Sequence, residues 1–231
     1  MNLCVIPARG GSKRIPRKNI KTFCGKPMIA WSIEAAKASQ CFDEIIVSTD
    51  DAEIADVARE WGCEVPFMRP AELADDFAST PDVMQHAAVW SNSKKKKPAY
   101  ICCASATAPF MSPEKIRDGL NIIKQENCDY AVSMTKFTSP IQRAIKLTKD
   151  HRIEMFSPEN FHKRSQELEE AYHDAGQFYW GKTEAWVSKK FLFSHDTAPI
   201  LLPGIQVQDI DTQDDWEIAV LKHKLLHNIE K

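Results

Sequence analysis

The chain has no apolar run approaching the ~18 residues that a membrane-spanning helix requires, and Arg9, Lys13 and Arg14 interrupt any signal-like segment near its start. Charge of one sign is also missing. With 30 basic and 32 acidic residues the net charge is −2, which gives no reason to expect a nucleic-acid or membrane partner. Seven cysteines form no C-x-x-C pair, so neither a zinc framework nor a disulfide framework is indicated, and the thiols read as reduced core residues of a cytoplasmic protein. Glycine is scarce, at 8 of 231 residues. Neither G-x-x-x-x-G-K-[ST] nor G-x-G-x-x-G occurs, which excludes the phosphate loop of kinases and GTPases and the dinucleotide fingerprint.

What is present begins at once. Leu3 to Ile6 read as a buried strand, and Pro7-Ala8-Arg9-Gly10-Gly11-Ser12-Lys13-Arg14-Ile15-Pro16-Arg17-Lys18-Asn19 follow as a loop with two glycines, a serine and five basic residues. Backbone N–H groups at glycines approach phosphate oxygens closely, and cations neutralise them, so the loop suits an anion. The plainer reading is a solvated basic turn.

A helix from Pro27 to about Ser39, a strand at 44–49, a helix at 52–61 closed by Gly62 and a strand at 63–67 then alternate. This rhythm predicts a doubly wound, mostly parallel α/β sheet with right-handed crossovers, whose ligands collect at the carboxyl ends of the strands. Thr80-Pro81 is expected to open a helix over 82–90, with a strand at 99–103, a helix at 113–126 and a strand at 130–134 after it. Lys94 to Lys97 read as a solvated run. The stretch 135–170 loses the rhythm and reads as an inserted lid or arm within one domain of 1–231, and a last helix runs from Asp214 to about His227.

If 205–210 is extended, the two-residue period places Asp209 and Asp211 on one face, where two adjacent carboxylates invite a cation such as Mg²⁺. The alternative is that Asp211 or Thr212 caps the last helix, with Asp215 completing a capping box. His223 and His227 are four apart but read as a solvent-facing helix end, and His162 and His173 are isolated. Arg143, Lys163 and Arg164 read as arm surface charges or as ligands for an acidic substrate.

Taken together, residues 7–13 with Pro16, Lys18 and Asn19, then Ile46-Val47-Ser48-Thr49-Asp50, then Arg69-Pro70-Ala71-Glu72-Leu73-Ala74 with Asp76, Ser79 and Thr80, and finally Asp209-Ile210-Asp211-Thr212, resemble the cytidylyltransferases that make CMP-activated acidic sugars. The likeness spans essentially the whole chain. It implies a nucleotidyltransferase, Rossmann-like fold with a small dimerisation arm at 135–170, CTP as co-substrate, Mg²⁺ and a homodimer. It further implies that Ala8, Arg9, Gly10, Gly11, Ser12 and Lys18 hold the triphosphate, Asn19 and Arg69 contact the nucleotide, and Ser79 and Thr80 lie near the base. Mg²⁺ would sit on Asp209 and Asp211, and Arg9, Lys18 and Asp211 would carry the catalysis. Arg164 would clamp the sugar carboxylate, with Ser105, Asp174 and Gln177 near the sugar.

The sialic acid-activating members differ at Ser105, where they carry Gln, and at the motif here read as His173-Asp174-Ala175-Gly176-Gln177. The form Ala106-Thr107-Ala108-Pro109-Phe110 with this second motif is similar to the pseudaminic acid branch, whose nine-carbon 2-keto acid serves bacterial surface and flagellin glycosylation. Rival readings are activation of sialic, legionaminic or the eight-carbon Kdo acid, nucleotidyl transfer to a hexose or alditol phosphate, and a non-catalytic nucleotide-binding module.

Overall fold

The computed structural model describes residues 1–75 and 77–227. Asp76, one of the residues carrying the resemblance, lies outside the described residues. In chain order the elements are β1 (Asn2–Pro7), the short pair β2 (Thr22–Phe23) and β3 (Lys26–Pro27), α1 (Met28–Ser39), β4 (Glu44–Ser48), α2 (Ala52–Glu60), α3 (Thr80–Asn92), β5 (Tyr100–Ala104), α4 (Pro113–Gln125) and β6 (Tyr130–Lys136). The hairpin β7 (Ile145–Leu147) and β8 (Ile153–Met155) follows, and then β9 (Tyr172–Lys182), α5 (Thr183–Val187), β10 (Thr197–Leu201) and α6 (Gln213–Leu226).

Six strands form one sheet in the order β10-β6-β9-β5-β1-β4, parallel except for β9, which runs antiparallel to both of its neighbours. Both faces are covered. Cys4 and Ile6 of β1 join Cys102 and Ala104 of β5 in one core, with Ile29 and Ile33 of α1, Ile54 of α2 and Ile116 and Ile123 of α4. Leu3 and Val5 point the other way, to Ile101 and Cys103 and to Met84, Ala87, Ala185 and Trp186 of α3 and α5. Apolar side chains in adjacent positions must each find a core because successive strand residues face opposite sides. A doubly wound sheet supplies both.

Four expectations shift. The strand at 63–67 reduces to two isolated parallel bridges, Ile46 to Glu64 and Thr49 to Met68; Pro66 stands between them and has no N–H to donate to a ladder. Helix α3 is capped by Ser79, not Thr80: the Ser79 hydroxyl accepts the Asp82 N–H and the Asp82 carboxylate accepts the Ser79 N–H. The stretch at 205–210 is not a strand, because Gly204–Gln206 form a 3-10 turn and the backbone beyond is irregular up to α6. His223 is not solvent-facing: it is 4% exposed, with its ring 4.7 Å from Trp31 and 4.3 Å from His227, and burial lowers its pKa.

The Ser79 cap carries a prediction. Ser79→Ala should cost about 1 kcal/mol, a fall in Tm of roughly 2–4 °C for a chain of this size, read by thermal denaturation without ligand.

Between β6 and β9 the arm packs little against the sheet. Leu147 is 77% and Ile153 70% exposed, and Ile145, Phe156 and Phe161 are exposed with them. No helix among the described residues is long and apolar enough to cross a membrane.

Candidate active site

The carboxyl ends of β1, β4 and β5 meet at one rim. There β1 passes into the basic loop, β4 into Asp50-Asp51, and β5 into Ser105-Ala106-Thr107. A segment no local pattern foretold completes the rim. After β10 the chain turns back across the sheet: Leu202 N–H donates to Met134 O at 2.8 Å, and the Gln177 side chain donates to Gln206 O at 2.5 Å. The segment then reaches Lys18, whose Nζ donates to Ile210 O at 2.5 Å and lies 3.3 Å from Asp211 Oδ1. Arg14 Nη2 holds the other Asp211 oxygen at 2.8 Å. Residues 193 apart in sequence thus share one cavity of about 240 Å³, lined by Arg9, Ser12, Lys13, Arg14, Lys18, Asn19, Ser105, Thr107 and Asp211 among others.

A second cavity of about 230 Å³ abuts the first at Pro7 and Arg9 and is lined further by Arg69, Asp75 and Thr80. Arg9 Nη1 donates to Asp75 O at 2.7 Å across it. Arg69 is buried; its Nη2 stands 3.5 Å from Asp50 Oδ1, and burial pulls its pKa down while Asp50 opposes the shift. Its Nε has no partner among the described residues.

The remaining loop residues have mixed placements. Ala8 is buried, and its N–H extends the pairing with β4 by donating to Ser48 O at 2.9 Å. Gly10 is not an open phosphate donor: its N–H donates to Asp50 Oδ1 at 3.1 Å, and a Cβ there would lie 2.5 Å from Asp51 Oδ2. Gly11 has open space where a Cβ would be. Asn19 is buried and donates to Arg9 O at 2.9 Å, bracing the loop from beneath.

Among the residues expected near the sugar, Ser105 N–H donates to Gln177 O at 2.8 Å, and the Ser105 hydroxyl is 3.3 Å from that of Thr107. Gln177 is buried as a brace for the segment leading to Asp209. Asp174 accepts from Gly176 N–H at 2.8 Å and Tyr179 Oη at 2.7 Å, next to the register shift in β9. Arg164 stands in the arm at the start of a 3-10 turn and lines neither cavity. Ser79 lines neither as well, being engaged in the α3 cap.

Desolvation and the Asp211 charge raise the Asp209 pKa, so the two carboxylates repel as the short spacing requires. Among the described residues no group of three His, Cys, Asp or Glu side chains could hold a metal. A pair of carboxylates is nevertheless the donor set that Mg²⁺ takes when substrate phosphates complete its shell, so these residues fit the ion. The capping reading of the stretch is seen directly, because Thr212 and Asp215 form the α6 capping box.

Lys13, Arg14 and Thr107 line the cleft but were not among the expected site side chains. The signal for the first two was the density of cations in the loop, and Thr107 stood in the Ala106-Thr107-Ala108-Pro109-Phe110 motif.

Comparison with known proteins agrees with this architecture. The pseudaminic acid cytidylyltransferase of Campylobacter jejuni (strain 81-176) is 43% identical over 226 residues, 98% of this chain and 97% of that one. The CMP-N,N'-diacetyllegionaminic acid synthase of Legionella pneumophila is 35% identical, covering 94% of each. Among solved structures, a CMP:2-keto-3-deoxy-manno-octonic acid synthetase complexed with CTP superposes with a TM-score of 0.69 at 17% identity, over 99% of both chains, and so shares the fold. The sequence profile of the Cytidylyltransferase family matches residues 3–195. The chain therefore belongs to the cytidylyltransferase family of nucleotidyltransferases.

Proposed function

We propose that the enzyme transfers CMP from CTP to the anomeric 2-hydroxyl of pseudaminic acid, releasing pyrophosphate. The observation that carries this reading is the junction of a strongly basic cavity containing Asp211 with a second cavity walled by Arg69 and Thr80. The first suits a triphosphate and the second its nucleoside. The acceptor is taken from the Campylobacter jejuni relative's name, with 43% identity over nearly the full length of both chains.

In the reaction a bond forms between the sugar O2 and the α-phosphorus, the bond from the α-phosphorus to the bridging oxygen breaks, and the hydroxyl proton is lost. Arg9, Lys18 and the amides and side chains from Gly11 to Lys13 hold the triphosphate, so catalysis is chiefly positioning and charge stabilisation. The amide of Gly10 keeps its bond to Asp50. Asn19 shapes the loop from beneath, while Arg69, whose Nε has no partner among the described residues, and Thr80 face the nucleoside. Asp209 and Asp211 would hold Mg²⁺, which would supply neutralisation of phosphate charge. Ser105, Asp174 and Gln177 shape the sugar end.

The exposed apolar side chains of the arm fit a homodimer contact, and Arg164 meets a sugar carboxylate only if a second copy brings the arm to the cleft. A cytoplasmic location agrees with the use of CTP as co-substrate.

The test is CTP and Mg²⁺ with pseudaminic, legionaminic, sialic and Kdo acids in turn, reading pyrophosphate. Pseudaminic acid should give the highest kcat/KM, with no release when Mg²⁺ is chelated. Faster turnover of another acid would reassign the substrate, and no release with any of them would favour a binding module.

A further inference from the structure

Both ends of the basic loop are tied to the same dipeptide at the carboxyl end of β4. At the start, Gly10 N–H donates to Asp50 Oδ1 at 3.1 Å. At the finish, Arg17 grips Asp51 through both guanidinium nitrogens, Nη1 to Oδ2 at 2.5 Å and Nη2 to Oδ1 at 2.9 Å, and also reaches Glu53. Asp51 Oδ1 accepts the Ile54 N–H at 3.0 Å as well, so the same carboxylate caps α2.

Two further features accompany this grip. Arg17 lies in the left-handed region at φ 57°, which a residue with a Cβ adopts infrequently. Gly10 leaves room for Asp51: an added Cβ would lie 2.5 Å from Oδ2 and 3.0 Å from the Asp51 Cβ. The Arg17 guanidinium holds the Asp51 carboxyl below the ordinary carboxylate range. Neither Arg17 nor Asp51 lines the two cavities, whereas Ser12, Lys13, Arg14 and Ile15, strung between the tied ends, all line the first.

We propose that Arg17 and Asp51 are positioning residues that clamp the loop in the shape that receives the triphosphate. Five cations in so short a loop repel one another, and the Asp50 and Asp51 carboxylates hold its two ends while Arg14 and Lys18 between and beyond them pair with Asp211. The planar fork of arginine matches a carboxylate bidentately, which a lysine does not. The proposal rests on the loop being the CTP cradle.

Arg17→Gly is the informative variant, because glycine accepts a positive φ at no steric cost while the clamp is lost. Its KM for CTP should rise about 10- to 100-fold, the range that misplacement of a binding loop produces. The KM for the sugar acid should stay within about twofold, and the Tm should change little, because relief of the positive φ offsets loss of a partly solvated ion pair. Arg17→Lys should fall between the variant and the parent. Asp51→Asn keeps a capping side chain for α2 and should shift the CTP KM in the same direction.

An unchanged CTP KM in Arg17→Gly overturns the clamp, as does an equal rise in both KM values, the mark of a merely structural role. Lys18→Ala, measured in parallel, separates the two levels. If it too leaves CTP binding untouched, the cradle itself is wrong. If it weakens CTP while Arg17→Gly does not, only the clamp falls.

Discussion

Asp211→Ala should lower the rate of CMP transfer by about 10³-fold at saturating substrates, as loss of a charge-stabilising group at a reacting phosphate does. The chain should stay folded. Asp211 is about one-third exposed and pairs with Arg14 and Lys18 at 2.8 and 3.3 Å, so losing those partly solvated pairs should cost no more than about 1 kcal/mol. Its backbone N–H bond to the Asp215 carboxylate, 3.1 Å long, survives the substitution and keeps the start of α6 in place. Initial rates of pyrophosphate release together with the Tm decide the matter, and full activity in the variant would end the metal assignment. Asp211→Asn, nearly isosteric, should be almost as inactive, because it removes the charge while leaving the space filled.

Lys18→Ala should raise the KM for CTP about 10- to 100-fold, the equivalent of one charge-assisted hydrogen bond of roughly 1.5–3 kcal/mol. The KM for the sugar acid should change little. Lys18, like Arg14, touches both halves of the rim, with Nζ bonded to Ile210 O and facing Asp211 while its backbone belongs to the loop. Some loss of kcat should therefore accompany the change in KM, since Asp211 loses one of the groups that orient it. Steady-state kinetics with each substrate varied separately checks this, and unchanged KM and kcat for CTP would remove Lys18 from the cradle.

Much of this site was legible in the chain before folding. The loop at 9–19 suits an anion or a solvated turn, and the structure gathers its cations at one cavity. The Asp-x-Asp at 209–211 suits a cation or a helix start, and the cap of α6 is seen. Other features were not legible. Gly10 looked like a phosphate donor, yet its amide is taken by Asp50 and its missing Cβ serves Asp51. Ser79 looked like a nucleotide contact and caps α3 instead. His223 looked solvent-facing because its helix ends in charged residues, but Trp31 and Phe23 from another part of the chain enclose its ring.

By itself the sequence determined most of the strand-and-helix order up to residue 134, the two-sided core and the chemistry available at each end of the chain, because these depend on local periodicity and residue type. Only the tertiary structure decided which of those groups meet. The return of residues 202–211 across the sheet, held by Met134 and Gln177, brings Asp211 to Lys18. The grip of Asp51 on Arg17 is likewise a contact between distant segments. Such pairings follow from how the elements pack, and no spacing along the chain encodes them.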